Sequence, residues 1–141
     1  MRIVAGLGDF GHRPEIDEGK RLRCCVELGV RGVLLGGPKI PGEARWEYED
    51  LLALRRRIER FGLRLEAIEN VPTTFLGNAT LGLPGTDEQI AHFCATVRNI
   101  GRAGIPILGY HWMPQQVWRT RPCVRVSPRC AASMRSVYAP P

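Results

Sequence analysis

Leu51, Leu54, Ile58 and Phe61 recur at spacings of three, four and three, and Ile90, Phe93, Val97 and Ile100 repeat that spacing. It stacks apolar side chains on one face of a helix. Glycine closes each stretch, Gly62 in the first and Gly101 with Gly104 in the second, and each leads into a short apolar run. No other feature of the chain restricts its fold as much.

The same alternation extends toward the N-terminus. Arg2 to Gly8, RIVAGLG, reads as a buried strand, Pro14 to Leu28 as a helix capped by Gly29, and Gly32 to Gly37, GVLLGG, as a second strand. A helix follows over Glu47 to Phe61 and a strand over Leu63 to Asn70, LRLEAIEN. VPTTFLGNATLGLPG reads as one long loop. Thr86 and Gln89 have the spacing of a capping box at the start of the next helix, and IPILGY, Ile105 to Tyr110, is the fourth strand. The order βαβαβαβ requires a parallel sheet with right-handed crossovers. An open doubly wound sheet and the first half of a (β/α)8 barrel both satisfy it.

Composition narrows the function. No apolar run approaches the roughly 18 to 20 residues of a membrane span, and MRIVAGLGDFGH lacks a signal-peptide core, so a cytoplasmic protein without a membrane partner is expected. The five cysteines include no CxxC pair and read as free, buried structural thiols. The net charge of +6 is mostly a tail property: residues 1–120 hold 16 basic against 14 acidic residues, while 121–141 add four arginines and no acid. Arg55, Arg56, Arg57 and Arg60, interleaved with Glu59, read as a solvated helix face and not a nucleic-acid surface.

In either architecture, ligands bind at the carboxyl ends of the strands. The residues there are Asp9 and Phe10, Pro38 and Lys39, Glu69 and Asn70, and His111 and Trp112. Glu69 suits acid–base work or a sugar hydroxyl, Asn70 offers a donor and an acceptor, and His111 suits proton transfer, hydroxyl binding or a metal. Trp112 and Trp118 could stack on the apolar face of a sugar or close the mouth of the site. A complete metal site is not expected, because His12, His92 and His111 share no ligand spacing with one another or with the cysteines. GLGDFG, residues 6–11, has the glycines of a dinucleotide fingerprint, but Pro14 delays the helix and no acid ends the second strand.

WEYEDLLALRRRIERFGLRLEAIENVP, LGLPGTDEQI, and NIGRAGIPILGYHWMP followed by VWRT together resemble the mannonate dehydratase family through Thr120. The resemblance implies an α/β fold, the first half, (βα)3β, of a xylose-isomerase-like TIM barrel. It also implies a metal-dependent hydro-lyase that converts D-mannonate to 2-dehydro-3-deoxy-D-gluconate and water in hexuronate breakdown, with Mn2+ or Fe2+. Glu69, Asn70, His111 and Trp112 then belong to the sugar-acid pocket. The metal ligands fall on later strands, and the catalytic acid and base are not assigned.

Residues 121–141 are expected to be an irregular tail unlike the family: four Arg, four Pro, three Ser, three Ala, three Val and two Cys, with no Gly, Leu or Lys. Eighteen of the 20 basic residues are arginine and the chain holds 16 glycines, which suits a GC-rich gene and a frameshifted end. A disordered basic tail is the other reading. The expectation is a truncated fragment, inactive alone, with strand edges that favour homo-oligomeric or edge-to-edge association. Two alternatives are a sugar isomerase or epimerase of the same barrel class, and a non-enzymatic binding protein that uses the basic tail.

Overall fold

A computed structural model describes residues 3–112. The elements are β1 (Val4–Gly8), α1 (Glu18–Glu27), β2 (Gly32–Gly36), α2 (Tyr48–Glu59), β3 (Arg64–Glu69), a 3-10 turn (Thr73–Phe75), α3 (Gly77–Leu81), α4 (Thr86–Arg102) and β4 (Ile107–Gly109). The four strands form one sheet in the order β1-β2-β3-β4, parallel throughout. A doubly wound sheet reverses direction at a switch point; this one does not, and every crossover steps the same way. Such winding puts the helices on a single face, as in a (β/α)8 barrel. The α/β half-barrel expectation holds.

The pairing register separates the two faces. Leu7, Leu35, Ile68 and Leu108 form one row across the sheet. Leu7, Leu35 and Ile68 are buried with Leu22 and Cys25 of α1, Leu51, Leu54 and Ile58 of α2, and Ile100 of α4 in one core, and Leu108 packs against it. Residues adjacent along a strand point to opposite faces, so the neighbouring rows face away from the helices. A register shift between Val33 and Leu34 lets Glu66 bulge out of β3 without disturbing the rows beyond it.

Trp46, at the N-terminal approach to α2, is fully buried, and its ring meets Phe75 edge to face at 5.6 Å. Its backbone N–H donates to Thr96 Oγ1 at 3.2 Å, and its carbonyl accepts from Asn99 Nδ2 at 2.9 Å. These two polar side chains are buried on α4 because they satisfy the backbone that leads into α2. Gly42 makes the preceding turn possible: its φ is 122°, and an added Cβ would collide with the Arg45 carbonyl.

Helix α1 begins at Glu18 and not at Pro14, because Asp17 accepts from the Lys20 N–H at 3.0 Å and caps it there. The long loop contains the 3-10 turn and α3, since Phe75, Leu76 and Ala79 dock on the core. The capping box does not form. Gln89 Oε1 instead accepts from the Asn78 and Ala79 N–H groups at 2.9 and 3.0 Å, capping α3, while the Thr86 hydroxyl donates to the Leu83 carbonyl at 2.6 Å.

Helix α4 buries Thr96, Asn99 and Ile100, whereas Ile90 and Val97 of the expected stripe are each 43% exposed. Strand β4 is three residues long. Among the cysteines, Cys25 is buried, Cys94 is half-buried and Cys24 is exposed, since it sits beside the buried face of α1. The arginine cluster is largely solvated as expected, with Arg55 pairing Glu59 at 2.7 Å, but Arg55 also donates to the Ala103 carbonyl at 2.9 Å, and Arg57 lies over the Phe10 ring. Among the described residues, no helix is long and apolar enough to cross a membrane. The tail, Trp118, Cys123 and Cys130 lie outside the described residues.

Replacing Asn99 by Leu should lower unfolding stability by about 1–3 kcal/mol, because the Trp46 carbonyl loses its side-chain donor in a buried site. Urea denaturation followed by circular dichroism measures this, and an unchanged midpoint would contradict the account.

Candidate functional site

At the carboxyl edge, the last register row reads Gly8, Gly36, Glu69 and Gly109 across the four strands. It follows the Leu7, Leu35, Ile68 and Leu108 row, so it faces away from the helices. Glu69 supplies the one side chain in a row otherwise made of glycine. A Cβ added at Gly36 would stand 3.7 Å from Glu69 Oε2 and 3.5 Å from the Gly8 Cα, and one added at Gly8 would meet nothing within 4 Å. The glycines therefore leave open space beside an exposed carboxylate. Among the described residues, no side chain pairs with that carboxylate.

Asn70 follows directly and adopts the left-handed conformation, φ 66°. Asparagine tolerates this region better than most residues. Its backbone N–H donates to the Gly109 carbonyl at 2.8 Å, and its Oδ1 lies 2.8 Å from His111 Nδ1. One residue thus ties the end of β3 to the end of β4 through both its main chain and its side chain. Tyr110 packs edge to face on Phe93 of α4 at 5.8 Å, anchoring the segment that carries His111. His111 and Trp112 are both exposed. The structure brings Asn70 and His111 into contact, places Glu69 on the adjoining strand-end row, and puts Trp112 just beyond.

The loops after β1 and β2 are held to each other. Lys39 N–H donates to the Phe10 carbonyl at 2.8 Å, and His12 Nε2 lies 2.8 Å from the Gly37 carbonyl oxygen. Phe10 and Pro38 are buried, so they support the edge and do not line it; Asp9 is exposed and paired with Arg13 at 3.0 Å. Sequence reasoning missed Glu18 and Arg21. Glu18 is 6% exposed and accepts from the Gly11 N–H at 3.0 Å; Arg21 bridges Glu18 and the Gly8 carbonyl. A Glu–Arg pair in the first turn of α1 was the available signal, but its spacing equally suits an ordinary surface pair.

An open cavity of about 400 Å3 lies at the opposite edge, lined by Ile3, Leu28, Arg31, Arg64 and Glu66 among others. Arg64 and Glu66 pair there at 2.9 Å. In barrels of this winding the amino edge serves stability and the carboxyl edge holds the chemistry, so the Glu69–Asn70–His111 cluster is the better candidate despite this hollow. Among the described residues, no group of three His, Cys, Asp or Glu could hold a metal ion.

The sequence model of D-mannonate dehydratase (UxuA) matches residues 16–135, most of the chain. The chain belongs to the D-mannonate dehydratase family. It is 37% identical over 90 residues to a mannonate dehydratase of Thermotoga neapolitana, and 32% identical over 90 residues to that of Streptococcus equi subsp. zooepidemicus. Each alignment covers 64% of this chain and 24% of the relative. The crystal structure of mannonate dehydratase from Streptococcus suis serotype 2 superposes with a TM-score of 0.65 at 26% identity, covering 81% of this chain and 31% of that one. The chain therefore spans about a quarter of the length of the curated mannonate dehydratases it matches.

Substituting Ala for Gly36 should keep the fold and raise stability by about 0.5–1 kcal/mol, since the new methyl makes ordinary contacts and glycine weakens strands. A fall in the urea midpoint would show that the space beside Glu69 is not open as described.

Proposed function

We propose that the chain contributes the sugar-acid-binding edge of a mannonate dehydratase. The reaction takes D-mannonate to 2-dehydro-3-deoxy-D-gluconate and water. A proton leaves the carbon next to the carboxylate, the neighbouring carbon loses its hydroxyl as water, and the resulting enol becomes the keto acid. The observation that carries the reading is the Asn70–His111 contact beside Glu69 at the carboxyl edge of a sheet whose sequence belongs to this family.

Each side chain has a part that its chemistry supports. The Glu69 carboxylate accepts from ligand hydroxyls in the space left by Gly8 and Gly36. His111 accepts or transfers a proton, and Trp112 offers an apolar face to the sugar's C–H surface. Mn2+ or Fe2+ belongs to the proposal as the activating ion, but the described residues do not assemble a ligand set for it. In this reading its ligands fall on the later strands of the barrel. The same reading makes the protein a cytoplasmic enzyme of hexuronate breakdown, with a binding edge that does not turn over substrate alone and exposed sheet edges that favour self-association.

Calorimetric titration should show D-mannonate bound more tightly than D-mannose, and Glu69→Gln should weaken it by about tenfold, the loss of one charge-assisted hydrogen bond. Mannonate incubated with the chain and Mn2+ should yield no keto acid. A preference for the neutral sugar would favour the isomerase alternative; binding unaffected by Glu69→Gln would remove the carboxylate from the site.

A further inference from the structure

His111 has one hydrogen-bond partner among the described residues, and that partner determines which ring nitrogen is free. The atom 2.8 Å from Nδ1 is the amide oxygen of Asn70. An amide oxygen only accepts, so Nδ1 must carry the proton, and in a neutral imidazole Nε2 then holds the lone pair.

Asn70 is well placed to enforce this state. Its φ of 66° directs the chain away from β3, and its own N–H is fixed on the Gly109 carbonyl at 2.8 Å, two residues before the histidine it contacts. The Phe93–Tyr110 contact holds the segment from the other side. Both ends of the Asn70–His111 bond are therefore set by the backbone. His111 itself is exposed, and among the described residues its bonded ring atom is Nδ1, which leaves Nε2 for a ligand.

We propose that Asn70 is a positioning residue whose amide oxygen holds His111 in the Nδ1–H tautomer, presenting Nε2 as the acceptor for a ligand hydroxyl at the carboxyl edge. The amide is uncharged, so it selects the neutral ring's tautomer without placing a negative charge beside it. The identity of the ligand as a sugar acid rests on the function proposed above; the tautomer does not.

The test is 15N NMR of histidine-labelled full chain, about two pH units above the ordinary histidine value so that the rings are neutral. The His111→Gln variant identifies the signal. The wild type should show a pyrrole-like Nδ1 and a pyridine-like Nε2. Asn70→Gly keeps a residue suited to positive φ but removes the acceptor, so the tautomer preference should be lost and D-mannonate affinity should fall about tenfold, one hydrogen bond's worth, with circular dichroism unchanged. Asn70→Asp restores an acceptor, so the Nδ1–H tautomer should return with the His111 pKa moved upward.

A proton on Nε2 in the wild type, or nitrogen shifts unaltered in Asn70→Gly, would overturn the proposal. An Asn70-dependent tautomer in a chain that does not bind mannonate would support the positioning role and refute the sugar-acid ligand.

Discussion

The in-order parallel pairing of β1 to β4 is the constraint on which the rest depends. Parallel strands that step one way place all crossover helices on one side of the sheet. The Leu7, Leu35, Ile68 and Leu108 row then faces a helical core, and the next row faces away from it. A register slip of one residue would exchange these faces, burying Glu69 beneath α2 and exposing Ile68. The apolar cost of exposing that row opposes the slip, so the core that stabilises the sheet also fixes where its carboxylate stands.

A second layer of order comes from polar groups that close the loops. Asn99 and Thr96 satisfy the backbone of Trp46, Gln89 caps α3, and the Glu18–Arg21 pair braces the chain leaving β1. These bonds join groups 7 to 53 residues apart, and each satisfies a backbone group. At the carboxyl edge Asn70 does the same for β3 and β4, so the candidate cluster is held by the hydrogen bonding that ends the strands.

Much of this was legible in the sequence. The spacing of three and then four between Leu51, Leu54 and Ile58 located α2, the glycine-bounded apolar runs located the strands, and the rule that ligands gather at carboxyl ends nominated Glu69, Asn70, His111 and Trp112 as candidates. What could not be read were the partnerships. The spacing of Thr86 and Gln89 suits a local cap, yet Gln89 serves α3 because a docked helix presented unpaired N–H groups nearby. Periodicity assigned Ile90 and Val97 to the core, whereas burial follows the hydrogen bonds of Thr96 and Asn99, which rotate the inner face of α4. The Asn70–His111 contact spans 41 residues and depends on a positive φ that no spacing reveals.

The most direct test of the account is to map where a sugar acid meets the chain, using amide chemical shifts during a D-mannonate titration. Perturbations at Gly8, Gly36, Glu69, Asn70 and Gly109 to Trp112, with Leu28 to Gly32 unaffected, are the predicted result. Perturbations confined to Leu28 to Gly32 and Arg64, around the hollow at the amino edge, would place binding at the wrong end of the sheet and contradict it.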